Sequence, residues 1–215
     1  MSGLAKVATL ATGLLTAGCS IFGIRSGTAE PAYSVVGQIG PVQLRQYGPR
    51  IAAETVVDAG EEAARTKGFE RLAGYIFGGN AGHASIAMTA PVEQRPGERI
   101  AMTAPVGQAR DAAGGFVVQF FMPAGSTLAT LPKPDDPQVH LVSVPAQTMA
   151  VLRFSDGRGP ADVAAKQAAL LRRLQNTPWQ PVGQPVAWFY DPPWTLPFLR
   201  RNEVAVPVEP KPAQQ

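Results

Sequence analysis

A single cysteine, Cys19, stands among the 215 residues. Beyond it the chain has no thiol from which to build a disulfide or a thiolate nucleophile. Only two histidines occur, His83 and His140, so a zinc set of the usual Cys/His kind cannot be assembled. Charged residues make up 16% of the chain and the net charge is only +3. No Lys/Arg cluster or aromatic-interleaved basic strip is present, so nothing points to nucleic acid. The longest apolar stretch of the N-terminus, Val7–Ala17, is too short for an ordinary membrane-spanning helix. There is no Gly-x-Ser-x-Gly elbow and no His-Glu-x-x-His pair. Gly78–His83 holds three glycines without a following Lys-Ser/Thr, which argues against a phosphate loop. The chain therefore reads as a non-enzyme, although a Ser-His-Asp set drawn from distant residues stays open.

Proline and glycine are plentiful, with 21 and 22 copies, which predicts many turns and short strands rather than a helical bundle. Ile86-Ala-Met-Thr-Ala-Pro-Val92 is repeated letter for letter at Ile100-Ala-Met-Thr-Ala-Pro-Val106. The even spacing of 14 would turn matching side chains of two extended copies to the same side: Ile86, Met88, Ala90 and Val92, then Ile100, Met102, Ala104 and Val106. Each proline requires its segment to end, bulge or lie on an edge. The repeat predicts two matched strands joined by a polar connector, Glu93–Arg99, that turns at Pro96-Gly97. A duplicated hairpin with no chemistry is the alternative, and Met88 and Met102 read as core or as a soft pocket wall.

The N-terminus has the anatomy of a signal peptide: a positive start through Lys6, an apolar run, and Leu15-Thr-Ala-Gly-Cys19. That end resembles the lipobox of bacterial lipoproteins, with Thr16 where leucine is usual. The resemblance implies lipidation of Cys19. The alternative is an ordinary secretory signal with an incidental cysteine. The chain then divides into a lipoprotein signal peptide at 1–18, a Gly/Ser-containing tether at 19–32, one domain at 33–208 and a polar tail at 209–215.

Within the domain, strands are predicted at Tyr33–Gln38, Val42–Tyr47 and Ile51–Val57. A helix follows over Gly60–Phe77, with Glu61 and Glu62 at its positive end and Phe69, Leu72, Ala73 and Ile76 spaced as one apolar face. Further strands are predicted at Phe116–Met122, Val139–Val144, Thr148–Phe154, Val186–Tyr190 and Phe198–Val208, with a second helix over Ala161–Asn176. The strand-then-helix order of 51–77 is echoed at 148–176. This predicts an α+β fold: a pseudo-twofold, distorted antiparallel β-barrel with two helices. Arg200-Arg-Asn-Glu203 reads as a structural charge cluster beside a packed corner at Trp194.

Three stretches carry a resemblance: Phe69-Glu-Arg-Leu-Ala-Gly-Tyr-Ile-Phe-Gly-Gly-Asn80, the twin heptapeptides, and Tyr190-Asp-Pro-Pro-Trp-Thr with Arg200-Arg-Asn-Glu-Val204. Together they resemble the SOUL/haem-binding protein family across about Tyr33–Val208. The resemblance implies the two-half barrel already read from the repeat. It also implies non-covalent binding of haem or another tetrapyrrole in a hydrophobic pocket without a universal axial ligand. The binding helix would present Phe69, Leu72, Ala73 and Ile76, with Arg65 or Arg71 as propionate partners. His83 is the candidate axial ligand and His140 a weaker one, with no other metal site. Each of these residues could equally be core or solvated surface.

The expectation is a haem- or tetrapyrrole-binding protein, lipid-anchored in the bacterial envelope and facing the periplasm, with Ser20 after the cysteine favouring the outer membrane. The alternatives are an envelope lipoprotein acting in protein interaction, and a binder of another apolar small molecule in the same groove, as in effector-binding domains of two-half design.

Overall fold

The structure, a computed structural model, describes residues 28–97, 115–155, 157–192 and 194–212. In chain order the elements are β1 (Tyr33–Ile39), β2 (Val42–Tyr47), β3 (Arg50–Val57), α1 (Glu61–Ile76), β4 (Val92–Pro96), β5 (Phe116–Phe121), β6 (His140–Val144), β7 (Gln147–Phe154), α2 (Pro160–Leu174), β8 (Trp179–Pro181), β9 (Val186–Phe189) and β10 (Asn202–Pro210). A short 3-10 turn covers Pro197–Leu199.

Local chemistry sets the helix limits. α1 opens on Glu61 and Glu62, which face the positive end of its dipole. It closes through Gly78, at φ +114°, and the Gly79 N–H that donates to the Gly74 carbonyl at 2.8 Å, a six-to-one bond of the kind glycine permits. α2 begins on Pro160, whose missing N–H costs nothing there, and ends with Arg172 and Arg173 beside its last carbonyls.

All named strands join one antiparallel sheet in the order β1-β2-β7-β10-β9-β4-β5-β3-β6, with β8 added beside β10. The sheet is strongly curved but not closed, compatible with a distorted barrel. The internal duplication is visible in the pairing. β5 lies between β3 and β4, and β10 lies between β7 and β9. β4 and β9 then pair with each other through Val92 with Phe189, Glu93 with Trp188 and Gln94 with Ala187. The strands leading into each half are exchanged: β2 pairs with β7, and β6 with β3.

Both helices cover the same face. α2 rests on Leu44, Ala150, Leu152, Phe189, Val204 and Val206. α1 rests on Ala53, Val92, Val118 and Phe120. Alternate residues of the same strands form the helix-free face, where Tyr47, Met149, Val151, Val186, Trp188 and Ala205 pack together.

Three sequence expectations are corrected. The first heptapeptide is not a strand: only Val92 enters one, after a cis Ala90-Pro91 bond, while Met88 is exposed. The second copy lies outside the described residues. Residues 93–96 of the stretch read as a connector instead belong to β4, a central strand, and residues 98–99 lie outside the described residues. Its polar side chains have partners: the Trp188 indole donates to buried Glu93 at 2.8 Å, the buried Gln94 amide to the Glu61 carbonyl at 2.7 Å, and the half-buried Arg95 pairs with Glu54 at 3.0 Å. The final strand starts at Asn202 rather than Phe198, because Pro197 opens the 3-10 turn, and it continues through Glu209 and Pro210 against β8.

Two glycines of α1 make opposite predictions. A Cβ at Gly68 would lie 2.5 Å from Val118 Cγ2, whereas one at Gly74 meets nothing within 4 Å. Gly74→Ala is expected to stabilise by about 0.5–1 kcal/mol through helix propensity. Gly68→Ala is expected to lose about 1–2 kcal/mol to overpacking despite the same propensity gain, and Val118→Ala in the same chain should recover part of that loss. Urea unfolding of the three variants measures this; equal effects at the two glycines would contradict the packing described.

Candidate functional site

α1 sorts its side chains by angle. Leu72 and Ile76 point inward and are fully buried with Tyr75, Val118 and Phe120, so they hold the helix to the sheet. Phe69 sits on the flank, 39% exposed, with its ring edge against Phe120 at 5.4 Å between centroids. Ala73 is half-buried, and Phe77, at the helix end, is 68% exposed. Phe69, Ala73 and Phe77 follow at intervals of four, forming a stripe beside the buried face.

The two arginines of α1 lie on different flanks. Arg71 turns to β3, donating to Thr55 Oγ1 at 3.1 Å and the Val56 carbonyl at 3.3 Å, with Asp136 at 3.9 Å. Arg65 lies one turn before Phe69. Its guanidinium stacks 4.6 Å over the Phe189 ring and donates to the Arg158 carbonyl at 3.2 Å. Burial lowers its pKa, with Glu61 and Glu62 opposing. The structure thus separates the two propionate candidates and leaves Arg65 with the aromatic stripe.

Sequence reasoning missed what stands beside Arg65. Arg158, in the loop before α2, donates to the Asp191 carbonyl at 3.4 Å. Burial, then the neighbouring charges of Arg65 and Arg200, pushes its pKa down to about 10. Three guanidinium groups from three distant segments thus converge where α1 begins. The 191–200 segment is pinned by two inward residues. Asp191 accepts from the Arg201 N–H at 2.6 Å, and the buried Thr195 offers its carbonyl to Arg200 Nε at 2.8 Å. Beside these anchors Trp194 and Phe198 face outward, 64% and 65% exposed. The corner is packed through Thr195, not through Trp194 as the sequence suggested. No local motif marks Arg158; only its place between Gly157 and the proline that starts α2 hints at a defined position.

His83 is exposed, at φ +50°, with Nδ1 3.2 Å from the Gly78 carbonyl. Its loop is not the free swinging segment its glycines suggest. Buried Asn80 donates to the Tyr75 and Ala84 carbonyls at 2.8 Å each and accepts from the Ala84 N–H at 3.0 Å. His140 is exposed on β6. Among the described residues no group of three or more His, Cys, Asp or Glu could hold a metal ion.

The helix-free face carries a separate polar network. Glu203, with no exposed surface, accepts two bonds from Arg45 at 2.7 and 3.0 Å, one from the Tyr190 hydroxyl at 2.8 Å and one from Arg201 Nε at 3.0 Å. Arg201 continues to Glu30 at 2.8 Å and stacks 3.7 Å over Tyr190. Burial alone would raise the Glu203 pKa, but the hydrogen bonds and charge of Arg45, aided by Arg201, hold it below the ordinary value. Glu93 differs. Burial pushes its carboxyl up, and the Trp188 hydrogen bond and the charges of Arg95 and Arg50 oppose this only in part. The structural role expected for Arg200–Glu203 fits these contacts.

The sequence model described as SOUL heme-binding protein matches residues 28–207. No curated protein matches the chain. Among solved structures, the EcmrR C-terminal domain superposes with a TM-score of 0.54 at 12% identity, covering 83% of this chain and 99% of that one. An EcmrR–DNA complex gives 0.56 at 12% identity; the match covers 79% of this chain and spans 57% of that one. A protein from Listeria innocua described as a hydrolase gives 0.52 at 10% identity, covering 81% and 94%. At these identities the likeness shows the fold alone.

The two buried glutamates should respond oppositely to pH. Glu203 has a folded pKa below its ordinary 4.5, so its contribution is complete above about pH 4.5 and is lost as pH falls through the folded value. Glu93 has a folded pKa above 4.5, so its contribution is complete below that and is lost as pH rises toward the folded value. Glu203→Gln is expected to cost about 3–5 kcal/mol at pH 7, leaving buried Arg45 short of its partner, with the deficit shrinking below about pH 4. Glu93→Gln is expected to be neutral near pH 4 and neutral or stabilising at pH 7. Urea unfolding across pH checks both; a larger loss for Glu93→Gln at pH 7 would contradict the assignment.

Proposed function

The chain belongs to the SOUL heme-binding protein family, and from that premise we propose that it binds haem or another tetrapyrrole, without a covalent link, along the exposed flank of α1. Phe69, Ala73 and Phe77 offer the apolar contact, and the exposed rings of Trp194 and Phe198 would add a second wall. Arg65 and Arg158 stand at the end of this surface, where propionates would be held. The observation that carries the reading is this meeting of an exposed aromatic stripe with desolvated cations. Arg158, its pKa pushed down to about 10, is a guanidinium that a carboxylate would relieve.

The physical terms are adequate in size. Covering a large apolar side chain is worth about 1.5–3 kcal/mol, and a hydrogen bond to a charged group contributes about 1.5–3 kcal/mol. Leu72 and Ile76 support the site from beneath by fixing the helix. Arg71, committed to β3 and Asp136, lies away from it. The bound group would supply its own redox chemistry; the protein supplies enclosure and charge. His83 is available at the other end of the stripe. With a proton on Nδ1 shared with the Gly78 carbonyl, Nε2 is the nitrogen free to ligate iron.

The reading extends to location. Residues 1–18 would act as a lipoprotein signal, Cys19 as the lipid attachment point, and the following residues as a tether in the bacterial envelope, facing the periplasm and favouring the outer membrane. The tether would end by residue 29, since Ala29 bridges to Thr89 and Glu30 pairs with Arg201.

Haemin titration of the full chain, followed at the Soret band, tests the site. Saturable one-to-one binding is expected. Phe69→Ala and Arg158→Gln should each weaken it by about tenfold or more, which corresponds to about 1.4 kcal/mol. Both positions are at least partly exposed, so circular dichroism should show an unchanged fold. Binding that never saturates, or equal affinity in wild type and both variants, would refute the assignment. A changed Soret position in His83→Ala would identify the axial ligand.

A further inference from the structure

Large aromatic rings are costly to leave in water. The short segment between β9 and β10 nevertheless leaves two of them there, with Trp194 64% and Phe198 65% exposed. Neither sits on a slack loop. Pro192 and Pro197 restrict its backbone. The Thr195 N–H donates to the Pro192 carbonyl at 3.2 Å, and the Leu199 and Arg200 N–H groups donate to the Leu196 and Pro197 carbonyls at 2.9 and 3.1 Å. Thr195 itself has no exposed surface. The loop thus turns its polar residue inward and its rings outward, the reverse of what folding alone favours.

This loop stands where the N-terminal part of the chain arrives. Its base is closed by Asp191, which accepts from the Arg201 N–H at 2.6 Å, and the Arg201 guanidinium holds Glu30 at 2.8 and 3.0 Å. Trp194 lies three residues from Asp191 and Phe198 three from Arg201, so chain length keeps each Cα within about 11 Å of that base. Cys19 precedes Glu30 by eleven residues, a reach of at most about 40 Å. A lipid on Cys19 would hold this end of the domain nearest the bilayer. Tryptophan and phenylalanine are side chains that settle at the boundary between headgroups and acyl chains. The carboxylates at the base are already engaged by Arg201, and Arg158 and Arg200 lie close enough for their charges to interact. The charge beside the rings therefore suits lipid phosphate.

We propose that Trp194 and Phe198 form a membrane-docking surface, whose rings enter the headgroup layer of the phospholipid bilayer that holds the tether. The proposal rests on the reading of Cys19 as the lipid attachment point. Two rings suffice there, because a tether turns docking into an intramolecular step. Bilayer and tetrapyrrole would compete for these rings, while Phe69, Ala73 and Phe77 on α1 stay with the ligand in either case.

Cys19 is the only thiol, so the full chain can be coupled there to a maleimide-bearing lipid in vesicles of phosphatidylethanolamine and phosphatidylglycerol. Acyl chains brominated near the headgroup quench any tryptophan that reaches them. Residues 1–18 contain no tryptophan, Trp188 is buried and Trp179 is half-buried. Quenching is expected in the wild type, lost in Trp194→Phe, and at least twofold weaker in Phe198→Ser, which keeps Trp194 as the reporter. The proposal is overturned if the coupled wild type is not quenched, if Trp194→Phe is quenched equally, or if Phe198→Ser changes nothing. It is also overturned if the uncoupled chain sediments as a dimer that Trp194→Ser returns to monomer, since a second copy would then cover the rings. Mass spectrometry of the chain extracted from cell envelopes reads the anchor separately. Absence of a lipid on Cys19 would refute the anchor and the proposal together, whereas absence of quenching would refute the docking surface alone.

Discussion

Exchange of strands between the two halves is the constraint on which everything else rests. β2 is covered by β7 and β6 by β3, while β4 and β9 pair along the junction. Neither half can satisfy its strand edges alone, and unpaired backbone donors and acceptors are expensive to bury. The halves must therefore form together. Once they have, strand alternation decides which side chains go where. One face is apolar and takes both helices. The other receives Arg45, Arg50, Glu93 and Glu203, side chains that no helix could cover without partners.

That division explains the placing of the candidate sites. α1 needs only part of its circumference to adhere to β3 and β5. Ala64, Gly68, Leu72, Tyr75 and Ile76 do that work. The close approach permitted by Gly68 against Val118 lets the helix sit low on the sheet, and the adjoining flank with Phe69, Ala73 and Phe77 is left at the surface. The loop before α2 then brings Arg158 to Arg65 and to Asp191, and the segment before β10 is held by Asp191 and Thr195. On the other face, Glu203 gathers Arg45, Tyr190 and Arg201 into one closed network, whereas Arg50 stays outside it.

Much of the fold could be read from the sequence, because apolar periodicity and turn residues mark both helices and most strands. β4 could not, because Glu93, Gln94 and Arg95 look like solvent-exposed residues; only their distant partners Trp188, Glu61 and Glu54 make them strand residues. The strand order was equally hidden, since exchange is a matter of pairing and leaves no local signature. For the site, sequence spacing grouped Leu72 and Ile76 with Phe69. The helix angle that separates buried from flanking positions becomes visible only when the sheet is in place. Arg65 was legible from its helix, but Arg158 lies 93 residues away and meets it only through tertiary contact.

Two tryptophans distinguish the faces, Trp194 on the exposed loop and Trp188 on the helix-free side. Adding zinc protoporphyrin to the isotopically labelled full chain and following backbone amides and indole N–H signals by nuclear magnetic resonance tests the central claim most directly. The account predicts shifts at Phe69, Ala73, Phe77 and the Trp194 indole, with the Trp188 indole unmoved. Shifts at Trp188, with the flank of α1 and Trp194 unmoved, would contradict it.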